Sequence, residues 1–287
     1  MLKYKDHLKK THIGKLLVIG FSPWPILVST TVLLMVLGLV YWFHYQSPIF
    51  VLIGTVGLFL FSGLWFGNLV NEATYLNYHT RKIRRVLYYG MLFFILSEAL
   101  FFVSFFWVWF YNLSNPGVEI GQAWPPRGFP SLHADKIPLY NTLLLLSSGA
   151  TVTWSHKALK GIENGNPIYG LGMTIVYAIA FMVLQAKEYY FNKFTLADNV
   201  YGSIFYMLTG FHGFHVLCGT VFLIVCFIRM WKGHLKPYHH VGYVCAIWYW
   251  HFVDLIWIVV FFSIYIPSGT FFYALVNEYV STYWWKH

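Results

Sequence analysis

Five side chains that can give up or accept a proton stand inside long apolar stretches of this 287-residue chain: Glu98, His212, His215, His251 and Asp254. Glu98 is embedded in ILSEALFF, residues 95–102. His212 and His215 belong to GFHGFHV, and His251 and Asp254 to WYWHFVD. Within each of these pairs the residues are three apart, so a helix presents them on one face. Carboxyl and imidazole groups at one depth can gate, relay or sense protons. The plain alternative is structural: a neutral acid and neutral imidazoles hydrogen-bonded between helices. Metal binding is a third possibility, because histidines with a carboxylate can hold iron or zinc. Membrane di-iron enzymes, however, need several histidine boxes near one surface. Here His239-His240 is the only adjacent pair, and it lies away from the buried ones. Haem would need an axial histidine in a bundle pocket. The expectation is therefore no metal and no catalytic residue in this chain, with His212, His215, His251 and Asp254 forming one buried polar cluster between spans six and seven that Glu98 can join.

Long apolar elements must position these groups. The chain is 58% hydrophobic and only 10% charged, too few charges to cover the surface of a soluble domain of this size. Seven stretches approach the roughly 20 apolar residues that cross a hydrocarbon core. They are residues 25–45, 49–70, 86–111, 137–155, 168–186, 201–230 and 242–266. The fourth is the weakest, because Asn141, Thr142 and serines interrupt it. The sixth is long enough to tilt or protrude. Glu98 falls about 16 Å along its span, near the bilayer midplane. An ionised carboxylate there costs about 2.5 kcal/mol or more, so the neutral form is favoured.

Flanking charges give an orientation. Fourteen Lys and Arg residues fall in the N-terminal segment and the 2–3, 4–5 and 6–7 loops, against five in the alternate loops and the C-terminus. The positive-inside rule then puts the N-terminus inside and the C-terminus outside, as an odd number of spans requires. The organisation expected is an inner-face N-terminal segment 1–21, spans one and two in 22–72, a basic inner loop 73–87, spans three to seven in 88–266, and an outer extension 267–287. The apolar run of the first span starts after a charged stretch and is too long for a signal-peptide core, so insertion without processing is expected.

The net charge of +9 is concentrated on the inner face, where it can attract anionic lipid headgroups. Glu72, Thr74 and His79 follow span two; Arg229, His234, His239 and His240 follow span six. Cations with hydrogen-bonding neighbours at headgroup depth suit phospholipid phosphate. No basic domain stands apart from the membrane, so nucleic acid is not an expected partner. Cys218, Cys226 and Cys245 form no CxxC pair and suggest neither disulfides nor a thiolate metal site. No GxSxG, P-loop or dinucleotide fingerprint supplies residues for hydrolysis or nucleotide chemistry. An independent transporter or proton channel built on Glu98, His212 and Asp254 is the alternative function, but inverted repeats that would favour it are absent.

Nine strings, in order over residues 20–266, resemble the subunit III family of haem–copper (cytochrome c) oxidases. They are SPWP (22–25), YGMLFFILSEALFF (89–102), FFW (105–107), EIGQAWPP (119–126), PLYNTLLLLSSGATVTWSH (138–156), QAKEYY (185–190), FTLADNVYGSIFYMLTGFHGFHV (194–216), HHVGY (239–243) and WYWHFVDLIW (248–257). The mitochondrial form fits best. The resemblance implies an all-α polytopic membrane protein of seven transmembrane helices, with helices 1–2 splayed from helices 3–7 by a lipid-filled V-shaped cleft. It implies a non-redox core subunit of complex IV, in the mitochondrial inner membrane, with its N-terminus in the matrix and its C-terminus in the intermembrane space. Haem and copper would sit in partner subunits I and II. This chain would hold only structural phospholipids, cardiolipin among them, contact accessory subunits, and enter respiratory supercomplexes. It would support proton uptake by the catalytic subunit. Glu98 matches the family's membrane-embedded glutamate. Glu72, Thr74, His79, Arg229 and His234 match lipid-headgroup positions.

The sequence also departs from that pattern. Where the family carries W-W-R-D-x-x-R-E, residues 65–72 read WFGNLVNE, so Gly67, Asn68 and Asn71 replace charges. The usual HHT is Tyr78-His79-Thr80, and a customary glutamate is Val244. Fewer inner-face carboxylates remain to collect protons.

Overall fold

The structure is a computed structural model that describes residues 22–76, 78–126 and 132–268. The expected segment 1–21 and most of the extension 267–287 lie outside the described residues. Seven long helices occupy the seven apolar stretches: α1 Trp24–Tyr45, α2 Ile49–Thr74, α3 Arg81–Ser114, α4 Ile137–Leu159, α5 Pro167–Phe191, α6 Val200–Trp231 and α7 Val241–Val260. A short 3-10 turn, Val118–Ile120, follows α3. Six of the helices, with α7 counted to Tyr265, are long and apolar enough to cross a membrane. The exception is α4, the stretch whose polar residues weaken it in the sequence.

One boundary moves. The basic stretch expected as a loop is helical from Arg81, so Arg81, Lys82, Arg84 and Arg85 form the first turns of α3. Lys and Arg are good helix formers, and their long stems can lie along apolar surface while the charge stays wet. Glu98 thus sits midway along α3.

The chain divides into two compact units, one up to Val86 and one from Leu87. In the first unit α1 and α2 lie side by side, joined by the short turn around Gln46, whose φ is +55°. Glycine allows their backbones to meet: a Cβ on Gly54 would lie 2.7 Å from the Met35 backbone nitrogen. Both helices leave most apolar side chains exposed, as lipid-facing helices do.

In the second unit α4 packs closely on α5, and α6 and α7 close the bundle. Asn166 caps α5 by accepting from the Ile168 N–H, and Asn199 caps α6 by accepting from Gly202. A ladder of hydrogen bonds joins α4 to an antiparallel α7. Tyr243 donates to Ser155 Oγ (2.7 Å), Trp250 Nε1 to Ser148 Oγ (2.9 Å) and Trp257 Nε1 to Thr142 Oγ1 (3.0 Å). The aromatic donors recur every seventh residue, which keeps them on one seam of the helix. Each hydroxyl passes its own proton to a carbonyl: Ser155 to Pro167, Ser148 to Leu145 and Thr142 to Pro138. Every rung is therefore satisfied, as a dry interior demands. These are the residues that made the fourth stretch look weak.

The part of α3 from Leu87 onward joins the second unit through bulky side chains. Trp109 is fully buried, and its ring lies 5.0 Å from Trp124 and 5.2 Å from Tyr201. Its indole donates to the Ser263 carbonyl at 3.0 Å. That carbonyl needs an outside donor because residue 267, which would bond it in a helix, is proline and has no N–H. Here α7 continues as a π-helix, Phe261–Tyr265.

Candidate functional site: polar groups between the helices

The expected single cluster is divided in the structure into three sites with different neighbours. At the first, Glu98 of α3 meets His215 of α6, with Oε2 2.9 Å from Nε2. His215 is almost buried, whereas Glu98 keeps 25% of its side chain exposed. The rings of Phe102 (5.0 Å) and Tyr249 (6.3 Å) flank the imidazole. Nδ1 of His215 lies 2.7 Å from the Phe211 carbonyl, which can only accept, so Nδ1 carries a hydrogen. In a neutral ring Nε2 is then an acceptor. The 2.9 Å contact consequently holds one proton, either on the Glu98 carboxyl or on Nε2 of an imidazolium facing a carboxylate. Both arrangements are neutral overall, which is how a carboxyl group can persist at mid-helix depth.

At the second site His212, fully buried, donates from Nε2 to the Val253 carbonyl of α7 at 3.2 Å. Phe181 and Trp257 pack on its ring. Its Nδ1 is buried without a partner among the described residues. His212 thus belongs to the α5–α6–α7 core, and it makes no hydrogen bond to His215 or Glu98.

The third site lies between α4 and α7. Nε2 of His251 is 3.2 Å from Thr153 Oγ1, and Nδ1 is 3.9 Å from Asp254 Oδ2. Thr153 gives its proton to the Gly149 carbonyl, so it accepts from His251. Asp254 is buried against Gly149, where an added Cβ would stand 2.8 Å from Oδ2.

The proposed headgroup residues are placed within each unit. Glu72 and Thr74 close α2, and His79 lies in the connection to α3. Arg229 is in the last turn of α6, and its Nη1 would be 3.1 Å from a Cβ on Gly242, so that glycine makes room for the guanidinium. The His234 N–H follows, bonding the Arg229 carbonyl at 2.9 Å.

Two further polar sites escaped the sequence reading. Near the α5 C-terminus, Asn141 donates to Gln185 (3.1 Å), Gln185 donates to Glu188 (3.1 Å), and the Tyr265 hydroxyl donates to the same Glu188 oxygen (3.2 Å). The signal was available: Gln185 and Glu188 stand three apart, at the end of an apolar run. At the opposite end of α4, His156 Nε2 lies 3.2 Å from His240 Nε2. Nδ1 of His240 donates to the Lys236 carbonyl (2.9 Å), so its Nε2 accepts from His156. Burial, with Lys160 and His239 adding positive charge nearby, lowers the pKa of His240 below the ordinary 6.5, although the Lys236 carbonyl acts the other way. The partner of His240 is thus His156 of α4, distant in sequence.

Among the described residues no group of three or more His, Cys, Asp or Glu side chains is placed to hold a metal ion. The arrangement can hold and exchange protons at Glu98–His215 and tie helices together elsewhere.

Comparison with known proteins adds the context. A family described as cytochrome c oxidase subunit III matches residues 15–269. Proteins named cytochrome c oxidase subunit 3 are similar in Pelomedusa subrufa (44% identical, covering 85% of this chain and 94% of the relative). Those of Struthio camelus (45%, with 85% and 94% covered) and Pisaster ochraceus (42%, with 89% and 98% covered) are comparable. With the match spanning all seven helices, the chain belongs to the cytochrome c oxidase subunit III family.

Proposed function

We propose that the chain works as a non-redox core subunit of the respiratory cytochrome c oxidase, the complex that passes electrons from cytochrome c to oxygen and translocates protons. The observation that carries this reading is the family match over residues 15–269, which contains every helix described above. Haem and copper belong to subunits I and II. This chain stabilises the catalytic subunit, binds phospholipid, cardiolipin included, and supports proton uptake. It resides in the mitochondrial inner membrane with its N-terminus in the matrix and its C-terminus in the intermembrane space, and it meets accessory subunits and supercomplex partners there. Membership of an oxidase-subunit family favours this role over an independent channel.

Two groups of residues have assigned roles in this proposal. Arg229 and His234 at the end of α6, and Glu72, Thr74 and His79 near the end of α2, bind lipid headgroups. The room that Gly242 leaves for the Arg229 guanidinium supports the first set. Replacing Arg229 with Ala is expected to lower the phospholipid retained per purified complex, measured by phosphorus analysis; unchanged phosphorus would count against the assignment. Glu98 with His215 is the chain's proton-holding site, supported by the one-proton contact at 2.9 Å. Glu98→Gln is expected to leave assembly and haem content intact and to reduce sustained proton pumping modestly.

A further inference from the structure

A groove of about 670 Å³ runs between α4 and α5 on the surface of the second unit. Tyr140, Leu143 and Ser147 line it from α4, and Ala180, Val183 and Leu184 from α5. The Ser147 hydroxyl gives its proton to the Leu143 carbonyl at 2.7 Å. Below Tyr140 the groove therefore asks its occupant for no hydrogen bond.

Charge stands at one end only. The hydrogen bond from Asn141 to Gln185 sets the start of α4 beside the end of α5. Lys136 lies one turn before Tyr140, whose N–H bonds its carbonyl at 3.3 Å. Lys187 lies one turn after Val183. Residues one turn apart share a helix face, so both lysines belong to the faces that line the groove. Both are exposed, and neither forms an ion pair among the described residues. Of the nearby acids, Asp135 precedes Lys136 without pairing to it, and Glu188 turns into the bundle, towards Gln185 and Tyr265. At the deep end, the next Lys or Arg after Ser147 on α4 is Lys157.

Depth selects the occupant. From Lys136 to Ser147 the helix rises about 16 Å, half of the roughly 30 Å hydrocarbon core. A partner's transmembrane helix crosses both leaflets, whereas this groove ends at mid-depth. An occupant one leaflet long, apolar along its length and negative at its head, matches it. Lysine stems lie along apolar surface while their ammonium groups stay at the interface, where they attract anionic headgroups.

We propose that the α4/α5 groove binds one anionic phospholipid, with an acyl chain along Leu143, Val183 and Ala180 and the phosphate between Lys136 and Lys187. The proposal rests on the reading of the chain as a membrane-spanning oxidase subunit with these helix ends at the outer face. The site is separate from Arg229, which lies at the other end of the bundle.

The test uses the intact complex purified through a tag on this chain, with a diazirine amino acid in place of Leu143. The complex is exchanged into mixed micelles holding equal amounts of phosphatidylglycerol and phosphatidylcholine, irradiated, and the adducts on this chain are weighed by mass spectrometry. Phosphatidylglycerol adducts are expected to exceed phosphatidylcholine adducts several-fold. The Lys136→Gln/Lys187→Gln double variant, with haem content unchanged, is expected to bring the two to parity. Ala180→Phe, which fills the groove, is expected to lower both. Equal adducts in the unaltered chain, adducts with protein instead of lipid, no adducts, or a preference that survives loss of both lysines would overturn the proposal. The subunit reading fails in a different way: the captured chain would then carry no haem-bearing partner, whatever lipid it held.

Discussion

The contact between Glu98 and His215 shows what sequence spacing can and cannot say about a residue. Spacing put His212 and His215 on one side of α6, and they are. Three residues subtend about 300° on a helix, however, so the two side chains still diverge by roughly 60°. That divergence sends His215 to α3 and His212 to α7, and the cluster read from the pattern separates. Glu98→Gln can keep one hydrogen bond to His215 Nε2, because an amide N–H replaces the shared proton. Its thermal midpoint in the complex is expected to stay within a few degrees of the parent. Glu98→Leu strands the imidazole and is expected to cost about 1–3 kcal/mol, seen as a clearly lower midpoint by calorimetry. At the other end of α4 the sign of the pH effect follows from His240. Its pKa is lowered on folding, so its contribution is complete above the ordinary value of 6.5 and is lost as pH falls below it. Melting of the complex between pH 7.5 and 5.5 is expected to show this acid loss, and His240→Gln to flatten it. A His240→Gln complex with the same slope would contradict the assignment.

For the elements, six of the seven helices are legible as apolar runs of bilayer-spanning length, while α4, which polar residues interrupt, is the weakest of the seven stretches. Lateral order was not legible. The clue to the α4–α7 pairing was an aromatic donor every seventh residue in one helix and hydroxyls six and seven residues apart in another, a pattern that reads as mere interruption when α4 is judged by itself. Membrane-buried hydrogen bonds between helices contribute about 0.6 kcal/mol on average and up to about 1.7. Trp250→Phe removes the middle rung but nearly keeps the volume, and is expected to cost about 1 kcal/mol. Gly170→Leu should be worse, since a Cβ there already stands 2.8 Å from the Trp154 ring and 2.9 Å from Ser155 Cβ. Measuring the detergent-resistant fraction of folded complex for both variants ranks them, and a milder effect for Gly170→Leu would contradict the close α4–α5 packing. The basic start of α3 carries no apolar signal, so the apolar run marks the helix late, whereas Arg and Lys are good helix formers.

At the scale of the molecule, buried polar groups among the described residues join helices, as Tyr243, Trp250 and Trp257 do, and share one proton between Glu98 and His215. The described residues bring no three metal-ligating side chains together. Membership of the cytochrome c oxidase subunit III family is what places the chain in an assembly with other oxidase subunits. The most direct measurement is metal and haem analysis of the complex captured through this chain, before and after the chain is stripped away with detergent. The account predicts that haem and copper co-purify in fixed ratio to the chain and remain with the partner subunits once it is removed. Haem or copper leaving with the stripped chain, or a captured chain with no haem-bearing partner, would contradict it.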